Sequence, residues 1–527
     1  MHSERLRQDF TRLAALIGIC GFAITQPVLN VMGDAPEQFV FRGASTAAIL
    51  AFPFLVAFVP AVILWLPSVL TQRVSDRAGT ATHLAAIALA LFVGLLQVVQ
   101  HLTDVTGPAK ALIAAIIAGA GTWVYWRFQG ARMWTHVMAA LSLVFVGLFL
   151  FTSPTGELAF ADPPDVVQST PSDESTTYPD IVIVMLDELP TGLLVDDAGR
   201  IDAVRYPALA EFATDATWYR SYTTVSAETV QAVPSVLSGQ LPDESADSAV
   251  WTGQPDTLFR LLGGTYDLIA SESLTRLCPR EWCDDPESAA NDSPAPEELA
   301  ATPAETPPEP DRGGLPRLLD DALGVWTEQI ALDPAAGPVL TGFEETVVER
   351  SRSEVLETPA MPGGSARGFA FPDDDRATEV PRVDAFTAAI KPRERPSLYY
   401  LHLMLPHTPY VFTESGRTYD GPSVGKGTAA EWDSRVVAQQ LDLQMRFTDQ
   451  LLGDILDGAR ETGVYDDAIV VVTADHAAGL DDEKASRYYD GTNAPELMVT
   501  PLLIKAPRQP NGIVSDAPIE AVDVLPT

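Results

Sequence analysis

Apolar residues fall along this chain in two rhythms. Up to Thr152 they form five long runs, Leu13–Met32, Ala47–Leu70, Leu84–Leu102, Pro108–Trp126 and Trp134–Thr152, separated by short polar loops. Each is close to the roughly 20 residues that cross the hydrocarbon core of a bilayer. None carries Asp, Glu or Arg at its centre, and Lys110 lies near a run end. Beyond Thr152 the runs are short and rich in β-branched residues: Ile181–Leu186, Tyr266–Ser271, Ser397–Leu405, Ile469–Thr473 and Met498–Lys505. Such runs read as strands buried on both faces of a sheet. Helical spacing appears at Tyr206–Asp215, Thr257–Gly263 and Pro316–Leu332, and most clearly at Glu431–Arg460, where Val437, Leu441, Leu451, Leu452, Ile455 and Leu456 share a face. Strands alternating with helices predict an α/β domain with a mainly parallel sheet between helices, following an N-terminal transmembrane helix bundle of five spans.

The remaining stretches set the expected boundaries. Residues 1–152 form the transmembrane region, 153–178 a linker rich in Pro, Asp, Ser and Thr, and 179–527 the second domain. Within that domain 284–314 is dominated by Pro, Glu, Ala and Asp, too polar to order itself, and is expected to be a disordered acidic insertion. Asp333–Arg382 shows little periodicity.

Charge divides along the same line. The first 152 residues hold 9 basic and 6 acidic side chains, so the total of −37 leaves −40 for the remainder. So acidic a domain repels phosphate backbones, which excludes nucleic acid as a partner, and suits cations. Arg5, Arg7 and Arg12 precede the first span, Arg73 and Arg77 follow the second, and Arg127 and Arg132 follow the fourth. The alternate loops carry only Arg42 and Lys110. This asymmetry places the N-terminus in the cytoplasm and everything after Thr152 outside a multi-pass cell-membrane protein. Cys278 and Cys283, in Cys-Pro-Arg-Glu-Trp-Cys, are spaced for a small disulfide loop, as an outside domain allows. A channel or transporter would be marked by charges inside the spans. Only Gln26, Asn30, Gln97, Gln100 and His136 stand out, most of them near span ends, so the bundle reads as an anchor.

Candidate chemistry gathers where the buried strands end. Ile181–Leu186 runs into Asp187 and Glu188, and Ile469–Thr473 leads to Asp475 and His476. In open α/β sheets the carboxyl ends of strands are where ligands sit. An adjacent Asp and His there offer one oxygen and one nitrogen to a divalent metal. Ser221–Pro242 is crowded with hydroxyls before an apolar turn closed by Gly239, and His407 follows Ser397–Leu405 in a Pro-rich turn towards the same rim. His402, inside that strand, reads as a core or supporting histidine, and Glu188 as a metal ligand or a supporting partner.

Four stretches, Pro-Asp-Ile-Val-Ile-Val-Met-Leu-Asp-Glu (179–188), Thr229 through Gly239, Leu405-Pro406-His407-Thr408-Pro409 and Thr473-Ala474-Asp475-His476, together resemble the sulfatase and alkaline phosphatase superfamily. The nearest branch in character is that of membrane-anchored enzymes resembling lipoteichoic acid synthase. The resemblance implies Asp187, Thr229, Asp475 and His476 as metal ligands, Thr229 as nucleophile, and His407 as a catalytic, substrate-side histidine. Ser226 and Ser235 are the rival hydroxyls. It further implies one divalent ion (Mn, Zn, Mg or Ca) and a membrane lipid or envelope polymer as substrate. The expected activity is phosphotransfer or phosphodiester cleavage through a phospho-threonine. Alternatives are hydrolysis of sulfuric or phosphate monoesters, or a degenerate protein that binds envelope polymer. The chain departs from sulfatases proper at Thr229-Val230-Gln231-Ala232, where those enzymes have Cys or Ser followed by Pro and Arg and make formylglycine. Threonine cannot yield that aldehyde. Ala477 replaces the usual Gly after the late Asp-His, and a C-terminal piece beyond Thr527 is expected to be missing.

Overall fold

The computed structural model describes residues 2–102, 107–167, 178–242, 249–254, 256–286, 314–330, 379–408, 410–418, 434–481, 484–486 and 493–525. It separates into two compact units, one of Met1–Ala161 with Arg312–Leu340 and one of Asp162–Asp311 with Thr341–Thr527.

The first unit contains five helices long and apolar enough to cross a membrane: Arg7–Gly33, Thr46–Gln72, Asp76–Val99, Gly107–Arg127 and Gln129–Thr152. Each contains one of the five apolar runs or most of it. The first helix changes pitch at Gly21–Thr25, a π-helical turn, just before Pro27. Pro27 has no N–H to give the Ala23 carbonyl, which a continuous α-ladder would use. Gln97 Nε2 (2.9 Å) and Trp326 Nε1 (3.2 Å) donate to it instead. That substitution matters because an unsatisfied carbonyl in hydrocarbon costs several kcal/mol. Small residues let the first and fifth spans approach closely: a Cβ on Gly18 would meet the Thr135 carbonyl at 2.2 Å.

Trp326 belongs to the helix Gly314–Gln329, close to the expected Pro316–Leu332. The sequence places it in the second domain, yet it packs in the first unit. Its apolar face puts Leu318 and Ala322 among Phe39, Phe52 and Phe149. Asp321 accepts from Arg42 Nε (2.8 Å) and from Gln38 Nε2 (2.8 Å), so the one basic residue of that loop is neutralised by this helix. The expected linker likewise opens with structure, the helix Pro154–Phe160. Ser153 caps it, its hydroxyl accepting from the Gly156 N–H, and proline stands in its first turn. The acidic insertion falls almost wholly at 287–313, outside the described residues, as does 168–177 of the linker.

The second unit is built on an eight-stranded sheet. Its strands are β1 Ile181–Asp187, β2 Thr217–Tyr219, β3 Asp267–Ser271, β4 Cys283–Asp284, β5 Ser397–Pro406, β6 Ile469–Ala474, β7 Leu502–Lys505 and β8 Ile513–Ser515. Their spatial order is β8-β2-β7-β6-β1-β5-β3-β4. β1 lies at the centre, parallel to β6 on one side and β5 on the other. The sheet is mainly parallel, with β7 antiparallel to β6 and to β2. Both faces are covered. Tyr206, Phe212, Leu452 and Ile455 pack on one, and Val233, Leu237, Phe259 and Tyr266 on the other.

Two strand and helix boundaries differ from the sequence pattern. Met498 ends a short helix, Ala494–Met498, and β7 starts only at Leu502, after Pro501. The aperiodic stretch ends in a helix, Glu379–Ala389, whose Val383 and Phe386 are buried together with Ile390. Cys278 and Cys283 are disulfide-linked. The buried Glu272 carboxylate, whose pKa burial raises, accepts the N–H groups of Leu277 and Cys278 beside them.

Candidate metal and nucleophile site

Three strands deliver side chains to one edge because they run parallel. Leu186 pairs with Ala474, and Asp187 with Pro406 after a register shift. The next residues of β6 and β5 are therefore Asp475-His476 and His407, all at the carboxyl ends of the three central strands. The chain of Asp475 is fixed by its N–H on the Leu186 carbonyl (3.1 Å) and by the Thr224 hydroxyl on its own carbonyl (2.6 Å).

Asp187, Asp475 and His476 offer ligand atoms that all lie within 4.8 Å of one another, and all three residues are fully buried. His476 Nε2 is 3.5 Å from Asp187 Oδ1 and 3.6 Å from Asp475 Oδ2. It is 3.1 Å from Thr229 Oγ1. Atoms each about 2.0–2.2 Å from one cation stand about 3.0–3.6 Å apart, so this donor set fits a small divalent ion. Two buried carboxylates facing each other also favour one, since a cation offsets their repulsion.

Thr229 opens the helix Thr229–Ser238, which Gly239 closes in the left-handed conformation (φ 67°). The hydroxyl thus sits at the positive end of the helix, where anions are favoured. The rival hydroxyls are turned to other work. Ser226 donates to Gln231 Oε1 (2.9 Å) and accepts the Glu228 N–H, and Ser235 donates to the Gln231 carbonyl one turn back.

The Glu188 carboxylate meets His407. Its Oε2 lies 3.3 Å from His407 Nε2 and accepts from the Thr408 N–H (3.4 Å). Its own N–H donates to Asp475 Oδ1 at 3.2 Å. His407 Nδ1 faces the Thr408 carbonyl, so both ring nitrogens meet acceptors, an arrangement that suits a proton donor. The His407 and His476 rings meet edge to face at 6.3 Å.

His402 is brought to the cluster from below. Its Nε2 is 3.9 Å from both Asp187 Oδ2 and Asp475 Oδ2. Ser273 Oγ stands 3.3 Å from its Nδ1, and Arg382 donates to its carbonyl at 3.0 Å. Arg382 is in turn paired with buried Glu379, which accepts the Met404 N–H.

Three supporting residues escaped the sequence reading. Glu379 and Arg382 sit at the end of the aperiodic stretch, and the helical spacing of Val383, Phe386 and Ile390 starts only just beyond it. Gln444 lies on the buried face of the helix Ser434–Thr462. It donates to the Pro406 and His407 carbonyls (3.0 and 2.9 Å) and accepts the N–H groups of Val411 and Phe412. Its signal was a carboxamide three residues after Leu441, on the side of the helix that Leu451, Leu452, Ile455 and Leu456 share.

Residues 342–527 match the family described as Sulfatase. That segment holds His402, His407, Asp475 and His476, while Asp187 and Thr229 precede it. N-sulphoglucosamine sulphohydrolase from Homo sapiens is 31% identical over 97 residues, which is 17% of this chain and 18% of that protein. Among solved structures, the phosphonate monoester hydrolase SpPMH from Silicibacter pomeroyi is 19% identical, covering 66% of this chain and 72% of its own at a TM-score of 0.37. The lipoteichoic acid synthase LtaP from Listeria monocytogenes is 13% identical, covering 68% and 74% at a TM-score of 0.34.

Proposed function

We propose that this chain, which belongs to the sulfatase/alkaline phosphatase-like superfamily, is a membrane-anchored phosphotransferase or phosphodiesterase acting on a lipid-linked or envelope substrate. The observation that carries the reading is the convergence of Asp187, Thr229, Asp475 and His476 at one strand edge, with the His407–Glu188 pair beside them. Asp187, Thr229, Asp475 and His476 would hold a divalent cation, which supplies stabilisation of negative charge on oxygen when bound. Thr229, its hydroxyl proton released to water, attacks phosphorus through Oγ from the start of its helix, whose N-terminus favours the phosphate anion. The bond from phosphorus to the leaving alkoxide breaks, and His407 is placed to protonate that alkoxide. The phospho-Thr229 formed passes its group to an acceptor hydroxyl or to water. Glu188 holds His407 in place throughout, and His402 buttresses the two aspartates.

Phosphorus is favoured over sulfur by one residue. Thr229 has a methyl where formylglycine needs a hydrogen, so the aldehyde route to sulfate esters is closed. Five apolar helices keep such a site at the bilayer, which raises its effective concentration towards lipid substrates. In this reading the N-terminus is cytoplasmic and the second unit faces outward. The test is product analysis with the full chain in vesicles. Release of diacylglycerol from a labelled glycerophospholipid, with no turnover of an aryl sulfate, is the expected result. Turnover of the aryl sulfate alone would overturn it.

A further inference from the structure

Three of the carboxamides within the apolar spans come together in the first unit. Gln26, Asn30 and Gln97 line a groove of about 860 Å³ between the first, third, fourth and fifth long helices. That volume is within the roughly 300–1,000 Å³ of sites that enclose a small ligand. Ile19, Leu91, Leu95 and Met138 form much of its apolar wall, and Gln329 of the helix Gly314–Gln329 stands among its lining residues. The π-helical turn Gly21–Thr25 borders it, and such turns recur at functional sites.

The polar groups decide what fits. Gln97 spends its amide on the Ala23 carbonyl. The Gln26 and Asn30 carboxamides are exposed on the groove wall and have no hydrogen-bond partner among the described residues. Gln26 lies about 10 Å along the helix from Gly33, the end of the first apolar span. A hydrocarbon tail alone leaves these amides unsatisfied at a cost of roughly 1–3 kcal/mol each. No Lys, Arg, Asp or Glu lines the groove among the described residues, so nothing there offsets the charge of a phosphate.

We propose that this groove binds a neutral glycerolipid, a diacylglycerol, with its acyl chains along the apolar wall and its ester carbonyls and free hydroxyl on Gln26 and Asn30. The inference rests on the first unit alone and does not require the reading of the Thr229 site. In chemical sequence it suits a protein positioned where a phospholipid headgroup is removed, since that reaction leaves this lipid behind.

The test uses the full chain in phosphatidylcholine nanodiscs with a photoactivatable diacylglycerol whose diazirine lies near the ester end. Crosslinks are expected within residues 19–31, 90–98 and 131–138, and unlabelled diacylglycerol should suppress them where phosphatidylglycerol does not. Replacing both amides (Gln26→Leu with Asn30→Leu) should weaken labelling about tenfold, as loss of two modest hydrogen bonds implies. The mapping on the unaltered chain stands even where that variant does not fold. Labelling spread evenly over the outward-facing Ile63, Leu112 and Ile116 would overturn the proposal. So would equal competition by phosphatidylglycerol, or undiminished labelling of the folded double variant.

Discussion

Glu188 holds a left-handed backbone (φ 61°), which a residue with a side chain adopts at a cost of about 1–3 kcal/mol. Three contacts over-determine it: its N–H on Asp475, and its carboxylate against the His407 ring and the Thr408 N–H. The strain aims the carboxylate at His407 while Asp187, one residue earlier, points into the cluster. Gln444 completes the hold on His407 from the far side, with four hydrogen bonds to the turn after β5. Replacing it by leucine removes all four and frees the turn, without touching Asp187, Thr229, Asp475 or His476. Gln444→Leu should therefore lower kcat by about tenfold to a hundredfold, part of the roughly 10²–10⁴ that a positioned general acid contributes. Bound metal, measured by elemental analysis, should stay at the unaltered level.

At the scale of elements, the long helix Ser434–Thr462 does two jobs, supporting the turn through Gln444 and the core through Asp449. The Asp449 carboxylate accepts the N–H groups of Ala208 and Leu209 at the start of the helix Pro207–Phe212. Burial nevertheless raises its pKa to about 6. A carboxyl whose folded pKa is raised stabilises the fold fully below its unfolded value near 4, and that contribution is lost as pH rises through 6. The difference in thermal stability between the unaltered chain and Asp449→Asn should shift between pH 4 and 6, by about 2–3 kcal/mol against the unaltered chain. A difference independent of pH would show that Asp449 is not titrating there.

The same scale shows what the sequence could carry. β1, β5 and β6 were legible because strands buried on both faces must be continuously apolar, and parallel pairing then forces Asp187, Asp475 and His407 onto one edge. The distances across that edge were not legible, because they depend on a register shift between Leu186 and Asp187. Which side chain Glu188 supports was not legible either, since a positive φ leaves no mark on a glutamate in sequence. Helix Gly314–Gln329 was read as a helix from its spacing, but its place in the first unit depends on Arg42 and Trp326 finding partners hundreds of residues away. Local pattern cannot encode such pairings.

For the molecule as a whole, an acidic second unit and a buried pair of aspartates both call for cations. A ligand present at a hundred times its Kd, and bound only by the folded state, stabilises by about 2.7 kcal/mol. Treating the protein with a chelator should lower its Tm by several degrees, and Mn²⁺ or Zn²⁺ should restore it. His476→Ala should have the lower Tm at the outset and respond to neither. The central claim is that Thr229 carries the transferred group. Its most direct test is mass spectrometry of peptides from the full chain, quenched in acid during turnover of a glycerophospholipid. The account predicts a phosphoryl-bearing adduct on Thr229 that is absent from Thr229→Ala. An adduct on Ser226 or Ser235, or steady turnover by Thr229→Ala, would contradict it.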